Sequence, residues 1–332
     1  MTSMNKKNKS LALGFGILGI IIMILPFFAG PYARIIGRAV ISYMILALSW
    51  DILIRSGQLS FGLAGLFGLG GYISVILTAN FGIPGLLSIV LAGVIVGIVA
   101  AVIGAAVLRL RGMYFAITTM AFGEIFKIIM HNWKSVSGGP NGKILQGALF
   151  QGDSNLGYAL MLILALLVIL LSEYFKRSRY HFALTAIRDN EVTAKSGGIN
   201  IYTTLVFTFV VTSMVQGIAG AANSQLIGFV SPESSFNANY TLIPLAMALL
   251  GGMYGTWGPV VGAVLLGVLG EFLKLYIPYG HLVVYGLIII LVLLFMPQGI
   301  VGLIKRYLFV DTGNDPLPEE KSATKKELSE NE

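Results

Sequence analysis

The stretch LGYALMLILALLVILL, Leu156–Leu171, decides the fold class. It carries no charge, and its side chains leave no polar face for a helix to turn toward water. Continued to Phe175, it reaches the ~20 residues that take a helix across the hydrocarbon core of a bilayer. Such a run is too long and too pure for the core helix of a soluble domain. The rest of the chain agrees. Its 332 residues are 56% hydrophobic and 11% charged, against about 25% charged in a soluble domain. The class is an all-α polytopic membrane protein.

Working outward from that run, about ten spans emerge by the same length criterion. They are Leu11–Ala29, Ile35–Ile54, Leu59–Ala79, Leu86–Leu108, Met113–Met130, Leu156–Phe175, Ile201–Ala221, Leu242–Tyr254, Val260–Tyr276 and Leu282–Met296. The eighth is short and broken by glycine. The first follows a basic head, so a signal peptide competes for it. Its length and the lack of a small-x-small cleavage site favour a retained span.

Net charge is +7. In a soluble protein that points to nucleic acid. Here the cations sit in short loops beside apolar runs, where they set orientation. With Lys6, Lys7 and Lys9 inside, the cytoplasmic segments are those around Arg55, around Arg109 and Arg111, Lys176–Lys195, the Gly255–Pro259 link, and Lys305 with Arg306. Arg34, Lys134 and Lys143 fall outside. Both termini are thus expected in the cytoplasm. Residues 1–10 form a cytoplasmic head, 11–304 the membrane domain, and 305–332 a polar tail of disordered composition.

There is no cysteine, which excludes disulfides, thiol catalysis and cysteine-ligated metals. GFGILG, Gly14–Gly19, matches a dinucleotide fingerprint but lies inside an apolar span, not between a strand and a helix. SGGPNGK, ending at Lys143, lacks the first glycine of a phosphate loop, and Ile144 stands where Ser or Thr is needed. No metal-ligand cluster or hydrolase motif is present. The chain is expected to be no enzyme and to bind no cofactor.

Two segments stand out within the apolar background. SGQLSFGLAGLFGLGGYIS, Ser56–Ser74, repeats small residues. Glycine costs a soluble helix about 1 kcal/mol per residue, but between membrane helices it allows close backbone approach. It also suits the wall of a solute pathway. Both readings stay open for Gln58, Ser60, Gly62, Gly70, Gly71 and Tyr72. Ionisable residues inside spans are functional suspects. Asp51 and Arg55 form an i,i+4 pair near the inner interface and read as a structural anchor. Glu124, Lys127 and His131 share one helix face, as do Glu271 and Lys274, and mutual neutralisation competes with a role in a pathway. Glu124 is the one acidic residue deep enough to be a pathway candidate, too few for a proton-coupled carrier.

The second segment is RSRYHFALTAIRDNEVTAKSGGIN, Arg177–Asn200. It reads as a short helix outside the membrane, with Glu191 and Lys195 in the favourable i,i+4 order and Gly197–Gly198 as its stop. It exceeds the 2–8 residues of ordinary helix connections. A rigid helix held between two spans suits docking into a partner's groove.

This segment resembles the cytoplasmic coupling loop of ABC importer permeases. Glu191, Ala194, Gly198 and Ile199 occupy the pattern, flanked by Arg188 and Asp189, while Val192 and Thr193 depart from its second alanine. From about Ser42 to Leu303 the chain resembles the branched-chain amino acid ABC transporter permease family, the LivM type. The matching stretches are GQLSFGLAGLFGLGGY, LRLRGMYFAITTMAFGEI, NWKSVSGGPNG, AIRDNEVTAKSGGIN and LLGGMYGTWGPVVGA. The resemblance implies an ABC importer permease fold in the inner (plasma) membrane, with residues 176–200 as the ATPase-coupling segment. It also implies a second homologous permease, two ATPase subunits that bind ATP and Mg, and an external solute-binding protein. The solute is a branched-chain amino acid, or, as the family also allows, urea or a short amide. A stand-alone secondary carrier is the alternative of another class.

Overall fold

In this computed structural model the described residues are Pro26, 30–276, and positions 283, 286, 287, 290, 294 and 299–302. The expected first and last spans, the head 1–10 and the tail 305–332 lie, but for scattered positions, outside them.

Helix α1 (Pro31–Ile54) is followed by α2 (Leu63–Phe81), α3 (Gly85–Val107) and α4 (Met113–Asn132). A short α5 (Lys134–Ser137), two 3-10 turns and strand β1 (Lys143–Ile144) lead to α6 (Ser154–Arg177). Helices α7 (Arg179–Asp189) and α8 (Glu191–Ser196) precede the long α9 (Ile201–Ile227). Strand β2 (Phe229–Val230), α10 (Pro232–Ser235), α11 (Asn239–Gly251) and α12 (Trp257–Tyr276) follow. Among the described residues six helices (α1, α2, α3, α4, α6 and α9) are long and apolar enough to cross a membrane. The deciding stretch Leu156–Leu171 lies wholly within α6.

Where the sequence suggested an eighth span, Leu242–Tyr254, the chain instead crosses in pieces. Helix α11 has 13 residues, about 20 Å at 1.5 Å per residue, short of the ~30 Å core. It begins beside the midpoint of α1, where Tyr240 lies 5.7 Å from Tyr43 and stacks on Phe67 at 4.1 Å. It ends at Gly252, whose φ of 114° stops the helix. The preceding depth is covered by β2, α10 and an irregular link. A hydropathy scan sees an apolar run here and cannot see the break.

Two ends of the bundle separate cleanly. At one, β1 pairs antiparallel with β2, Lys143 opposite Val230; Lys143 also bonds Asn80 at the end of α2, and Arg34 bonds Ser154 at 3.2 Å. At the other lie Arg55, the ends of α3 and α6, α7, α8 and the 252–256 turn. The cations assigned to opposite sides by charge thus occupy opposite ends.

Helix α2 packs on α9, α3, α4, α10 and α11. Its glycines explain how it has so many neighbours. A methyl built on Gly70 would fall on the carbonyl oxygen of Gly217 in α9, and one on Gly65 would meet Gly123 in α4. At Gly68 the obstacle is the Phe236 ring, 2.7 Å away. Backbone-to-backbone contact replaces the hydrophobic drive that lipid cannot supply. A polar knot ties the same helices: Gln225 Nε2 of α9 lies 2.7–2.9 Å from the hydroxyls of Ser74, Thr78 and Ser88.

Candidate functional site

At the Arg55 end a buried network joins three segments. The Asp51 and Arg55 side chains are 0% and 2% exposed and pair at 2.8 Å. Arg55 also donates to the Ser172 hydroxyl at 2.8 Å and the Ser172 carbonyl at 3.2 Å. Ser172 shares a 3.0 Å hydrogen bond with Thr256, which donates to Glu173 at 3.2 Å. The Tyr254 N–H donates to Asp51 Oδ1 at 2.7 Å. Tyr254 sits at φ 64°, a conformation non-glycine residues hold only when their surroundings impose it. The anchor read from the Asp51–Arg55 spacing is therefore wider than one pair, clamping α1, α6 and the 252–256 turn together.

The coupling candidate rests on this clamp. The Arg188 guanidinium lies 4.4 Å over the Tyr254 ring, within cation–π range, and its side chain packs against Gly57. It also pairs with Asp189 at 3.1 Å. The segment is not the single helix expected. It breaks at Asn190 (φ −161°), whose side chain accepts from the N–H groups of Val192 and Thr193 and so caps α8. The expected Glu191–Lys195 pair does not form, because Glu191 turns to Arg111 in the α3–α4 loop. The helix stop holds: Gly198 has φ 79°, Ile199 N–H donates to Ala194 O at 3.1 Å, and Gly198 N–H to Lys195 O at 3.0 Å. This double bond pattern is the left-handed cap that favours glycine. Ala194 is buried beneath it, and Leu184 and Ile187 anchor α7. Phe182 and Val192, which the sequence reading did not single out, face outward at 73% and 76% exposure. A single residue, Ser178, joins α6 to α7; its N–H donates to Tyr174 O at 2.9 Å and its hydroxyl to Phe175 O at 2.9 Å. Burial first, then the positive charges of Arg55, Lys176 and Arg188, hold the His181 imidazole below its ordinary value.

A pocket of about 220 Å³ opens between α2, α4 and the start of α11. Phe61, Met120, Phe236, Leu242 and Leu245 make its apolar walls, and Glu124 and Thr241 are its polar groups. The Glu124–Lys127 pairing weighed above does not occur: Lys127 instead meets Glu233 of α10 at 3.0 Å. Glu271 lies on α12, and the side chain of Lys274 is outside the described residues.

The pathway candidates fall into three places. Glu124 borders the pocket. Ser60 and Gly62 lie in the non-helical approach to α2, where Trp50 Nε1 donates to Ser60 O at 3.0 Å and Gly62 packs on Thr119. Gln58 is buried there, its Oε1 without a partner. Gly70, Gly71 and Tyr72 lie elsewhere, the glycines against α9 and the tyrosine ring 5.8 Å from Phe236. The pocket residues on α10–α11 were missed. Their signal was a proline-bearing, interrupted apolar segment, Pro232 to Gly252, of the kind that forms solute sites between membrane helices.

Six membrane-length helices among the described residues, with a pocket between them, define a multi-pass membrane protein. The comparisons narrow the class. The model of the family described as branched-chain amino acid transport system / permease component matches residues 32–293, and the chain belongs to that family. It is 28% identical over 317 residues to the high-affinity branched-chain amino acid transport system permease protein LivM of Salmonella typhimurium, covering 87% of this chain and 74% of that one. The Escherichia coli protein of the same description is 28% identical over 300 residues, 82% of this chain and 70% of the other. A probable LivM of Methanocaldococcus jannaschii is 27% identical over 317 residues, covering 88% of each. No solved structure matches the chain.

Proposed function

We propose that this chain is one permease subunit of an ATP-binding-cassette importer that carries leucine, isoleucine and valine across the cell (plasma or inner) membrane. The family match over residues 32–293 carries this reading. The Arg55 end faces the cytoplasm, with both termini, and the Lys143 end faces outward. A second homologous permease completes the pathway, and an external binding protein delivers solute. Two ATPase subunits bind ATP and Mg, and one of them docks on α7–α8 of this chain, where Phe182 and Val192 present apolar knobs. This chain performs no catalysis and holds no cofactor. ATPase closure displaces α7, and the Tyr254 stack and the Ser178 joint pass that displacement to α1 and α6, so that access alternates. A urea or short-amide importer is the runner-up. The test is uptake of labelled leucine against labelled urea by the complex in proteoliposomes loaded with ATP. ATP-dependent leucine uptake that excess valine suppresses is expected, and urea uptake without leucine uptake would replace the solute.

A further inference from the structure

From the pocket between α2, α4 and α11 we infer that Glu124 receives the ammonium group of an amino-acid solute in transit, with the aliphatic side chain on the Met120, Leu242 and Leu245 wall. The inference rests on the import reading and deepens it.

Glu124 lies near the middle of α4, as far as that helix reaches from either end of the bundle. Its helix is poorly covered, with 22% of the apolar stretch buried. Met113, Ile117, Met120 and Ile128 are exposed on the same side, at the 3–4 residue spacing of one helix face. A carboxylate at that depth is costly against lipid, so it faces water or a cation. The cation nearest in sequence does not serve, because Lys127 is held 3.0 Å from Glu233. Among the described residues nothing forms an ion pair or hydrogen bond with Glu124. An open counter-charge position therefore borders a hollow that is otherwise apolar apart from Thr241.

The chemistry of the walls selects the ligand. An anion at one edge and aliphatic and aromatic surface beyond it match a small molecule with a cationic head and an apolar body. The volume, about 220 Å³, lies below the ~300–1,000 Å³ of sites for drug-sized ligands, which suits one amino acid. Urea has neither the charge nor the apolar body. One ion contact in an open hollow also binds weakly, which permits release to the far side.

Because the chain has no cysteine, Leu242→Cys gives this subunit a single thiol on the pocket wall. The probes are a cationic and an anionic methanethiosulfonate, applied to the full complex in proteoliposomes with partner subunits made cysteine-free. The cationic reagent should react about tenfold faster than the anionic one, the factor that roughly 1.4 kcal/mol of charge attraction sets. Glu124→Gln should abolish the difference, and millimolar leucine should slow the cationic reaction. In the cysteine-free complex Glu124→Gln should cut leucine uptake about tenfold by the same arithmetic, and Glu124→Asp should restore part of it. Equal rates for the two reagents overturn the inference, as does unchanged uptake in Glu124→Gln. Loss of the second permease from the purified Glu124→Gln complex also overturns it, since the carboxylate would then serve subunit contact. If the Leu242→Cys complex with Glu124 intact labels charge-selectively while neither it nor the cysteine-free parent carries leucine, the amino-acid import reading is refuted, and the solute assignment with it, while the cation preference of the pocket stands.

Discussion

Asp51→Asn tests whether the clamp at the Arg55 end holds the bundle together. The Arg55 side chain is 2% exposed and donates two of its four hydrogen bonds to Asp51 and the other two to Ser172. Removing the carboxylate charge leaves the guanidinium buried with neutral acceptors alone. Breaking a buried pair on one side costs about 3–5 kcal/mol, a large part of the ~5–15 kcal/mol that stabilises a typical domain. Arg55→Met should cost a similar amount by stranding Asp51, although the Tyr254 N–H still donates to that carboxylate. The double variant removes both charges and should lose far less than the sum of the two. The coupling energy should approach ~3 kcal/mol, the upper range for residues in contact. Denaturant unfolding of the purified protein in mixed micelles, followed by tryptophan fluorescence, measures all three; Trp50, fully buried beside Asp51, is a local reporter. Single variants that lose under ~1 kcal/mol, as exposed bridges do, would refute the reasoning. So would additivity within ~0.5 kcal/mol.

Gly70→Ala should destabilise by about 1–3 kcal/mol through overpacking on the Gly217 carbonyl, while Gly255→Ala, with open space around it, should be neutral; thermal retention on size exclusion compares them. Gly198→Val meets no atoms within 4 Å but must hold φ 79°, a left-handed cost of ~1–2 kcal/mol. ATPase recruitment to membranes should therefore fall in Gly198→Val and stay near normal in Gly198→Asn, which tolerates that conformation. His181 has its folded value depressed below about 6.5, so the unfolded segment takes up the proton first. Its contribution is complete above about pH 6.5 and is lost as pH falls through the lower folded value. Amide exchange in α7 should accordingly rise on acidification, with His181→Phe removing the dependence. Single cysteines at Lys143 and Lys195 should react with an impermeant reagent from opposite sides of the membrane, and same-side reaction would overturn the assigned orientation.

The long helices were readable because composition alone specifies them. Leu86–Leu108 was expected where α3 runs Gly85–Val107, and the apolar run Leu156–Phe175 grew by two residues at each end into α6. What sequence could not give were partners far along the chain. Asp51 and Arg55 announce each other by spacing, but Ser172 and Thr256 join them only in three dimensions. The same holds for Glu191, whose neighbour in spacing is Lys195 and whose actual partner is Arg111. The break of α11 was hidden for a different reason: hydropathy averages over residues and is blind to backbone direction. Asn190 was readable in principle, being a good cap residue just before a helix-forming stretch, but the uninterrupted polarity of the loop masked it.

The joint at Ser178 fixes how load is shared among the spans. One linking residue supplies two soft dihedrals, and the hydrogen bonds of Ser178 to Tyr174 and Phe175 remove much of that freedom. Helix α7 is thereby held close against the end of α6. On the other side, Gly197–Asn200 separates α8 from α9 with four residues, one of them a glycine in a left-handed turn. That link is tied as well, by the cap at Gly198 and by the Asn200 side chain, which accepts from the Thr203 N–H, and the Tyr180 ring of α7 stacks on Phe207 of α9 at 5.0 Å. The segment is thus braced toward both neighbours, so any displacement of α7 would load α6 and α9 together and not one of them alone.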